Sequence, residues 1–590
     1  MTFAGQFTLL VIFLMLVALV LELLAPDAIL FAALAALLLA GVITPAEALA
    51  GFANKGMMTV ALLFIVAYGA QSSGALGFFA GRFMGRGLGL GRRDLLRMML
   101  PVGLLSAFLN NTPIVSMFAP AVCEWARNHR RAPSKYLIPL SYAAILGGTC
   151  TLIGTSTNLL VNGMIVDAGG RSLGLFELAK AGLPCFLVGI IYIVLFGYRI
   201  LPERKAVEAE NQNRDYLFEM RVLEHGPLPG RSVTQAGLRH LNSVFLSEII
   251  RGEKTIVPVR PDEILQAGDR LGFVGVAEGI AQLRRKAGLA PGDESGWPKL
   301  PDRQTAAGII EAVVSRSSPM LDKTIKQGNF RGRYDAVVLA VRRHGERIHQ
   351  GIGSIILKPG DTLLLLSGGD FLARWNNARD FYLVSKVGDM PVIDRKKTLL
   401  SFGVLLLMVL LAAFGVVDIF KAAVLAVLAL LLSRAITVVE ARRSLELNVL
   451  IVIAASLGIS QALIKSGAAQ YLAAGLLSLV SGWGGVGLLT AIYLMTSLLT
   501  EVITNNAAAA LMFPVAWTAA GQSGFDPLPF AVAVALAASA SFATPIGYQT
   551  NLMVYGPGNY RFADFLKIGL PMNLLMMLTA VTAIRLGWNF

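Results

Sequence analysis

An eleven-residue phrase occurs twice in this 590-residue chain, and the second copy begins 393 residues after the first. The copies read TLIGTSTNLLV over residues 151–161 and TPIGYQTNLMV over residues 544–554. About forty residues before each copy, an otherwise apolar stretch contains a polar cluster: Asn110-Asn111-Thr112 before the first and Thr504-Asn505-Asn506 before the second. Two matching pairs at nearly the same spacing indicate that the chain consists of two related halves.

The composition restricts the class of protein. With 55% hydrophobic residues, 15% charged residues and a mean hydropathy of +0.64, the chain is typical of a polytopic α-helical membrane protein rather than a soluble enzyme. The net charge of +14 does not indicate a nucleic-acid partner, because 30 of the 51 Lys and Arg residues lie between residues 202 and 397. Most of the others flank apolar segments, as membrane topology requires.

The apolar segments form two sets. The first set covers residues 8–24, 27–42, 57–80, 136–164 and 178–200, and the second covers 398–415, 417–433, 446–465, 528–555 and 566–588. Each set also contains a segment with the polar cluster at its middle, at 98–125 and 485–520. These two segments are predicted to be re-entrant hairpins. The domains predicted are transmembrane repeat 1 (1–201), two cytosolic modules (202–290 and 291–397) and transmembrane repeat 2 (398–590).

The distribution of basic residues predicts the orientation of the halves. Arginines and a lysine flank the first hairpin on both sides, whereas residues 466–560 contain no Lys or Arg. Basic flanks face the cytoplasm, so the two hairpins are expected to open to opposite sides and the halves to be inverted repeats. Both termini are then outside a plasma (inner) membrane, and residues 202–397 are cytoplasmic.

Residues 202–397 are predicted to fold as two small α+β modules. Runs such as Ala336–Val341 and Thr362–Gly368 are typical of strands bounded by glycine turns. The region is also duplicated internally, since LQAGDRLGFVG over 265–275 resembles LKPGDTLLLLSG over 357–368. The positive charge of the region suits a small anionic effector or the anionic headgroups of the lipid bilayer.

The duplicated clusters have the chemistry of a solute site. Backbone that leaves the helix inside a bilayer is tolerated only against protein or a water-filled cavity. Asn, Thr and Ser oxygens suit a hard cation such as Na⁺, and the first helical turn after each break directs positive partial charge at the same point. Thr112 before Pro113 is predicted to cap one restarted helix, Asn506 precedes another, and Gly154 and Gly547 are expected to offer carbonyls to a cation. The alternative, that these residues only bind helices together, does not explain the duplication.

One carboxylate also stands near a cluster. Glu501 lies three residues before Thr504. An acid within a membrane segment is a functional candidate, but a residue near the outer mouth, satisfied by a helix end, fits the sequence equally well.

The paired clusters and the duplicated eleven-residue phrases that accompany them (the companion phrases, whose loops end in Asn) resemble those of the divalent anion/sodium symporters of the ion transporter superfamily. In that family the clusters are usually Ser-Asn-Thr. The modules resemble paired C-terminal domains of regulator-of-potassium-conductance proteins, an insertion characteristic of a bacterial and algal branch often described as sulfate permeases. The resemblance implies an elevator-type homodimer. It also implies one Na⁺ held by Ser106, Asn110, Asn111 and Gly154, a second held by Thr504, Asn505 and Gly547, and substrate contacts from Asn111, Thr112, Thr157, Asn505, Asn506 and Thr550.

The sequence departs from the dicarboxylate-carrying pattern. Its clusters read Asn-Asn-Thr and Thr-Asn-Asn, and its companion loops end in Thr-Ser-Thr-Asn and Tyr-Gln-Thr-Asn instead of Pro-Pro-Asn. The leading hypothesis is a sodium-coupled symporter for a small divalent oxyanion, with sulfate first. Alternatives are a dicarboxylate/sodium symporter and, less favoured, a potassium transporter gated by the modules. A channel filter would need a TVGYG-like loop, which the sequence lacks.

Overall fold

The computed structural model describes residues 2–21, 23–72, 91–129, 131–204, 217–238, 244–252, 254–256, 259–260, 262–275, 288–291, 307–315, 318–343, 346–348, 352–368, 371–375, 380–386, 395–480 and 483–588. The chain divides into two compact units, one containing residues 1–203 and 390–590 and the other residues 204–389. Part of the predicted 57–80 span, residues 73–80, lies outside the described residues.

The first unit is built from helices in both halves of the chain. The helices of the first half are α1 Phe3–Val20, α2 Pro26–Leu39, α3 Pro45–Ala50, α4 Lys55–Ser72, α5 Arg92–Ser106, α6 Asn111–Asn128, α7 Leu137–Gly148, α8 Ser156–Asp167, α9 Ala179–Tyr192, a π-helical turn Ile193–Gly197 and α10 Tyr198–Ile200. Two short helices of the second unit follow: α11 Phe330–Tyr334 and α12 Phe371–Trp375. The second half then contributes α13 Arg395–Ala413, α14 Ile419–Leu432, α15 Val438–Ser444, α16 Leu447–Lys465, α17 Ala468–Leu479, α18 Gly484–Thr500, α19 Asn505–Gln522, α20 Pro527–Ser539, α21 Gln549–Tyr555 and α22 Phe562–Gly587.

Within the described residues, six helical segments, some of which join adjoining helices, are long and apolar enough to cross a membrane. They are Phe3–Val20, Pro45–Gln71, Ala179–Ile200, Lys396–Ala413, Leu447–Lys465 and Phe562–Gly587. Their outward faces carry large exposed apolar side chains such as Phe13, Leu406 and Leu574. The prediction of a polytopic helical membrane protein is confirmed at this level.

The relation between the halves extends beyond the motifs that first indicated it. Helix α2 begins at Pro26, whose missing N–H is harmless at the first helical position, and α14 begins 393 residues later at Ile419. The short helices α3 and α15 both begin with a capping box, in which Thr44 pairs with Glu47 and Thr437 pairs with Glu440. Each box again lies 393 residues from its counterpart.

Two of the predicted spans are not continuous helices. The span predicted at 136–164 is divided into α7 and α8, and the span predicted at 528–555 is divided into α20 and α21. Helix α7 and residues 528–539 of α20 are buried throughout. The breaks are stable because the protein interior surrounds them, which is the condition for irregular backbone at membrane depth.

The second unit contains two antiparallel five-stranded sheets of the same topology. The first sheet has the order β3-β2-β4-β1-β5, and the second, read from the other edge, has the order β8-β7-β9-β6-β10. The strands are β1 Leu217–Val222, β2 Val244–Arg251, β3 Lys254–Ile256, β4 Arg270–Gly275, β5 Leu289–Pro291, β6 Ala307–Val314, β7 Ala336–Arg343, β8 Glu346–Arg347, β9 Thr362–Gly368 and β10 Phe381–Lys386. Each sheet covers its own apolar core, which includes Phe273 in one and Leu365 in the other.

The duplicated LxxGD phrase forms the same ion pair in each sheet. Asp269 accepts from Nε and Nη2 of Arg251 at 2.9 Å, and Asp361 accepts from the same atoms of Arg343 at 2.8 Å. Both carboxylates are buried and also accept a backbone N–H three residues earlier in the chain. The bidentate hydrogen bonds to Asp269 raise the pKa of Arg251 above its ordinary value. The pair therefore fixes the turn before the central strand of each sheet.

Candidate anion and cation site

Each polar cluster lies where a helix stops and another begins. Helix α5 ends at Ser106 and α6 begins at Asn111, while α18 ends at Thr500 and α19 begins at Asn505. Both helices begin earlier than predicted. Asn110 precedes α6 and Thr504 precedes α19, where Thr112 and Asn506 were expected. Pro113 consequently lies within the first turn, where a missing N–H has no helical partner to lose. Whether each helix pair enters and leaves on one side stays a prediction.

The two companion phrases form the second pair of breaks. Helix α8 begins at Ser156, and Thr155 caps it by accepting from Thr157 N at 3.3 Å. Helix α21 begins at Gln549 after a non-helical segment of residues 540–548. The N-termini of α6 and α19 lie at the clusters themselves, and the first turn of α8 reaches the second cluster through Ser156 and Thr157, which contact Asn506.

The first cluster brings together three of its four predicted cation ligands. Ser106 Oγ donates to Asn111 Oδ1, and both residues are fully buried. A Cβ atom on Gly148 would lie 2.7 Å from Asn111 Oδ1 and 3.1 Å from Gly154 O, and one on Gly154 would lie 2.4 Å from Gly148 O. The close approach of these two glycines therefore places the carbonyl of Gly154 beside the Asn111 amide. Asn110 instead lines a small cavity with Ile153 and Ser156.

The second cluster repeats this arrangement with different side chains. Thr500 Oγ1 lies 3.0 Å from Asn505 Oδ1, and this contact is the counterpart of the one between Ser106 and Asn111. A Cβ atom on Gly547 would lie 2.1 Å from Ser541 Oγ and 3.0 Å from Thr500 O. Within the described part of the chain, the buried hydroxyl oxygens of Thr504 and Ser541 have no hydrogen-bond partner. Oxygen atoms that are buried and unpaired suit a cation, since such groups are otherwise costly.

Two site residues were missed by the sequence reasoning. Thr500 precedes Asn505 by five residues, as Ser106 precedes Asn111, so the duplication itself contained the signal. Ser541 carried no such signal, because its counterpart is Gly148. Both residues are fully buried.

The asparagine of each duplicated phrase, Asn158 in the first and Asn551 in the second, has the same role in both halves. Asn158 Nδ2 donates to Gly148 O at 3.3 Å and Thr151 O at 2.8 Å, and Asn551 Nδ2 donates to Ser541 O at 3.0 Å and Thr544 O at 3.2 Å. These acceptors are counterparts at the 393-residue offset. Each asparagine therefore holds its own unwound loop in shape by satisfying carbonyls that left the helix.

Predicted substrate residues of each half also contact the other half. Asn506 Oδ1 accepts from Thr157 Oγ1 at 3.2 Å, and Thr112 Oγ1 donates to Gln549 Oε1 at 3.2 Å. Asn111 Nδ2 donates to Tyr548 Oη at 2.6 Å, a contact the sequence did not predict. Thr550 is turned away from the clusters toward Ser141 on α7, whose hydroxyl lies 2.8 Å from its own. The two clusters and two companion loops thus form one continuous polar centre.

Among the described residues that form this polar centre, none carries a cationic side chain. None of the site residues named above is basic, and the donors of the centre are backbone N–H groups, amides and hydroxyls. Among the described residues, no group of three His, Cys, Asp or Glu side chains could hold a metal ion. The donors and acceptors present match a hard monovalent cation and a small anion better than a transition metal.

Comparison with known proteins identifies the family. A sequence model described as a citrate transporter, CitMHS, matches residues 16–535. The chain belongs to the CitMHS citrate transporter family. This family lies in the ion transporter superfamily, so the protein is a transporter and not an enzyme. The prediction of the finer sulfate-permease-like branch stays a proposal.

Relatives of this CitMHS protein cover nearly its whole length. A Chlamydomonas reinhardtii protein, provisionally named a sulfur deprivation response regulator, is 39% identical over 571 residues, which is 94% of this chain and 97% of the relative. An uncharacterized transporter of Synechocystis is 34% identical over 98% of this chain and 96% of its own. Sodium/sulfate cotransporter 1 of Chlamydomonas reinhardtii is 27% identical over 93% of this chain and 86% of its own.

Proposed function

We propose that this transporter is a sodium-coupled symporter for a small divalent oxyanion, with sulfate as the substrate. The observation that carries the proposal is the pair of breaks in which Asn111 and Asn505 receive the same hydroxyl contact from Ser106 and Thr500. Two equivalent groups of neutral oxygen atoms suit two hard cations. The anion between them then needs no arginine.

The charges at the polar centre support sodium as the coupling ion. A divalent anion held only by helix N-termini and neutral donors leaves uncompensated negative charge in a low dielectric. Cations bound at Ser106, Asn111 and Gly154, and at Thr500, Asn505 and Gly547, would supply that charge. Anion and cation binding would therefore favour each other, which is the thermodynamic condition for symport.

Sulfate is favoured over dicarboxylates by two independent facts. The companion loops lack the Pro-Pro-Asn ending of the dicarboxylate-carrying pattern. Sodium/sulfate cotransporter 1 is also similar to the chain over 93% of its length. The second candidate is a sodium-coupled carrier of citrate or another carboxylate, and the name of the CitMHS family favours it.

For the transport cycle we propose an elevator-type homodimer in the plasma (inner) membrane, with inverted halves and both termini outside. Single cysteines at the exposed positions Arg93 and His129, which flank α5 and α6, should then both label from the cytoplasm. Cysteines at Trp483 and Gln522, which flank α18 and α19, should both label from outside. A flanking pair that labels from opposite sides would contradict the re-entrant arrangement of that pair.

The two sheets of residues 204–389 are proposed to be cytoplasmic regulatory modules of the regulator-of-potassium-conductance type that respond to a small anionic effector. An effector can change the inward/outward equilibrium only through its difference in affinity between the two states. The modules connect the last helix of the first half to the first helix of the second, so they are covalently linked to both.

Uptake into proteoliposomes tests the proposed function. Purified protein should accumulate labelled sulfate when an inward sodium gradient is imposed, and much less with potassium in its place. Labelled citrate and succinate distinguish the carboxylate alternative. Potassium flux without anion flux would refute the symporter.

A further inference from the structure

Glu501 is a buried carboxylate at the start of the break between α18 and α19. Its side chain is 8% exposed. Oε1 accepts from Phe542 N at 2.9 Å, Ala543 N at 3.0 Å and Asn573 Nδ2 at 2.6 Å, and Oε2 accepts from Thr544 N at 2.9 Å. All four partners are donors and none is basic, which is the hydrogen-bonding pattern of a carboxylate anion.

The first half has no such carboxylate, because its counterpart there is Ala107. Helix α7 continues to Gly148, and the next two N–H groups reach helical carbonyls: Thr149 N donates to Leu146 O at 3.3 Å and Cys150 N to Gly147 O at 3.0 Å. Helix α20 ends at Ser539, two residues before the counterpart of Gly148. The N–H groups of Phe542 and Ala543 therefore turn to Glu501.

The carboxylate is connected to the second cation site through one residue. Thr544 N donates to the Glu501 carboxylate, and Thr544 Oγ1 lies 3.0 Å both from Glu501 O and from Gly547 N, whose proton it accepts. The same loop contains Ser541, whose unpaired hydroxyl lies against Gly547. Glu501 thus fixes the segment that supplies Gly547 and Ser541 to the site.

We propose that Glu501 is a positioning residue for the second cation site and makes it the tighter of the two. The proposal rests on the proposed function. The carboxylate holds the 540–548 loop in its unwound form, and its negative charge, which no basic side chain among the described residues pairs with, favours a cation beside it. Ala107 offers neither effect to the first site. The second site should therefore fill first as sodium concentration rises.

The test is the sodium dependence of sulfate uptake by Glu501→Gln in proteoliposomes. Glutamine keeps the size of the side chain but removes the charge and one acceptor oxygen. The affinity of the second site for sodium should fall about 10- to 100-fold, the range for loss of a group that orients metal ligands. The half-saturating sodium concentration of uptake should rise as that site becomes the weaker of the two. The half-saturating sulfate concentration at saturating sodium should stay unchanged, because the sulfate contacts are not altered.

Two further variants keep the test decisive. Asn573→Ala leaves the charge of Glu501 and its hydrogen bonds from the backbone intact, so it should raise the half-saturating sodium concentration by a smaller factor. This variant replaces Glu501→Gln in the test if Glu501→Gln does not fold. Glu47→Gln is the matched control, because Glu47 bonds Lys465 and Thr44 rather than either cluster. It should leave sodium dependence unchanged.

Distinct results would overturn the proposal. If Glu501→Gln and Asn573→Ala lower only the maximal rate and keep the wild-type sodium dependence, Glu501 has a structural role alone. If Glu501→Gln instead abolishes a pH dependence of uptake and leaves sodium dependence intact, the carboxylate carries protons. Wild-type uptake that does not depend on sodium would refute the cation sites themselves, and this proposal with them.

Discussion

Replacing Tyr548 with phenylalanine removes one oxygen atom where the two halves meet. Tyr548 Oη accepts from Asn111 Nδ2 at 2.6 Å, and Tyr548 is the counterpart of Thr155 in the first half. Asn111 is fully buried, so its amide finds no water in place of the lost partner. Leaving such a donor unsatisfied costs about 1–3 kcal/mol. Asn111 would then no longer be held with Oδ1 directed toward Ser106 and Gly154.

If this free energy is lost from the sodium-bound state, the half-saturating sodium concentration of Tyr548→Phe should rise about 5- to 150-fold. The assay is sulfate uptake into proteoliposomes over a series of sodium concentrations. Tyr192→Phe is the matched control, since it removes a tyrosine hydrogen bond to Ile568 O, 3.0 Å long, away from both clusters. Equal sodium dependence in the two variants would refute the assignment of Asn111 to the first cation site.

Three other predictions concern the clusters and the modules. Asn111→Ala and Asn505→Ala should each abolish uptake while the protein remains folded, because each removes oxygen ligands; sodium dependence like that of the wild type would contradict the assignment. Gly154→Ala should lower the free energy of unfolding by about 1–3 kcal/mol in thermal unfolding and impair uptake, because its Cβ atom would lie 2.4 Å from Gly148 O. Gly521→Ala should do neither, because its Cβ atom would meet nothing within 4 Å. Replacing residues 207–390 with a flexible linker should leave uptake present but change its rate or its response to cytosolic metabolites; complete loss of folded, inserted protein would show that the modules are structural.

The sequence was sufficient to locate the polar centre. The duplicated phrases placed Asn158 and Asn551 in corresponding positions, and the structure gives both the same two carbonyl partners. The strands predicted at Ala336–Val341 and Thr362–Gly368 are present as β7 and β9. A duplicated motif predicts the position of a site well, because a residue that matters structurally recurs at the corresponding position of both copies.

The rest depended on packing between segments that are distant in the chain. The contact of Asn111 with Tyr548 joins residues 437 positions apart, and no local pattern indicates it. The helix restarts were misplaced because Asn110 and Thr504, rather than the residues next to Pro113 and Ala507, precede the helices. For Glu501 the sequence left two interpretations open. The structure shows that the Glu501 carboxylate accepts from N–H groups of a neighbouring loop. Those N–H groups are available because α20 ends at Ser539, which the sequence did not indicate.

Coupling of an anion to sodium at the duplicated breaks can be measured directly in proteoliposomes. Vesicles containing the purified protein receive equal labelled sulfate on both sides and a sodium gradient directed inward. Sulfate should accumulate inside against its own gradient, collapse of the sodium gradient should abolish the accumulation, and Asn111→Ala and Asn505→Ala should each eliminate it. Sulfate that only equilibrates, with or without sodium, would show that the breaks do not couple the anion to sodium.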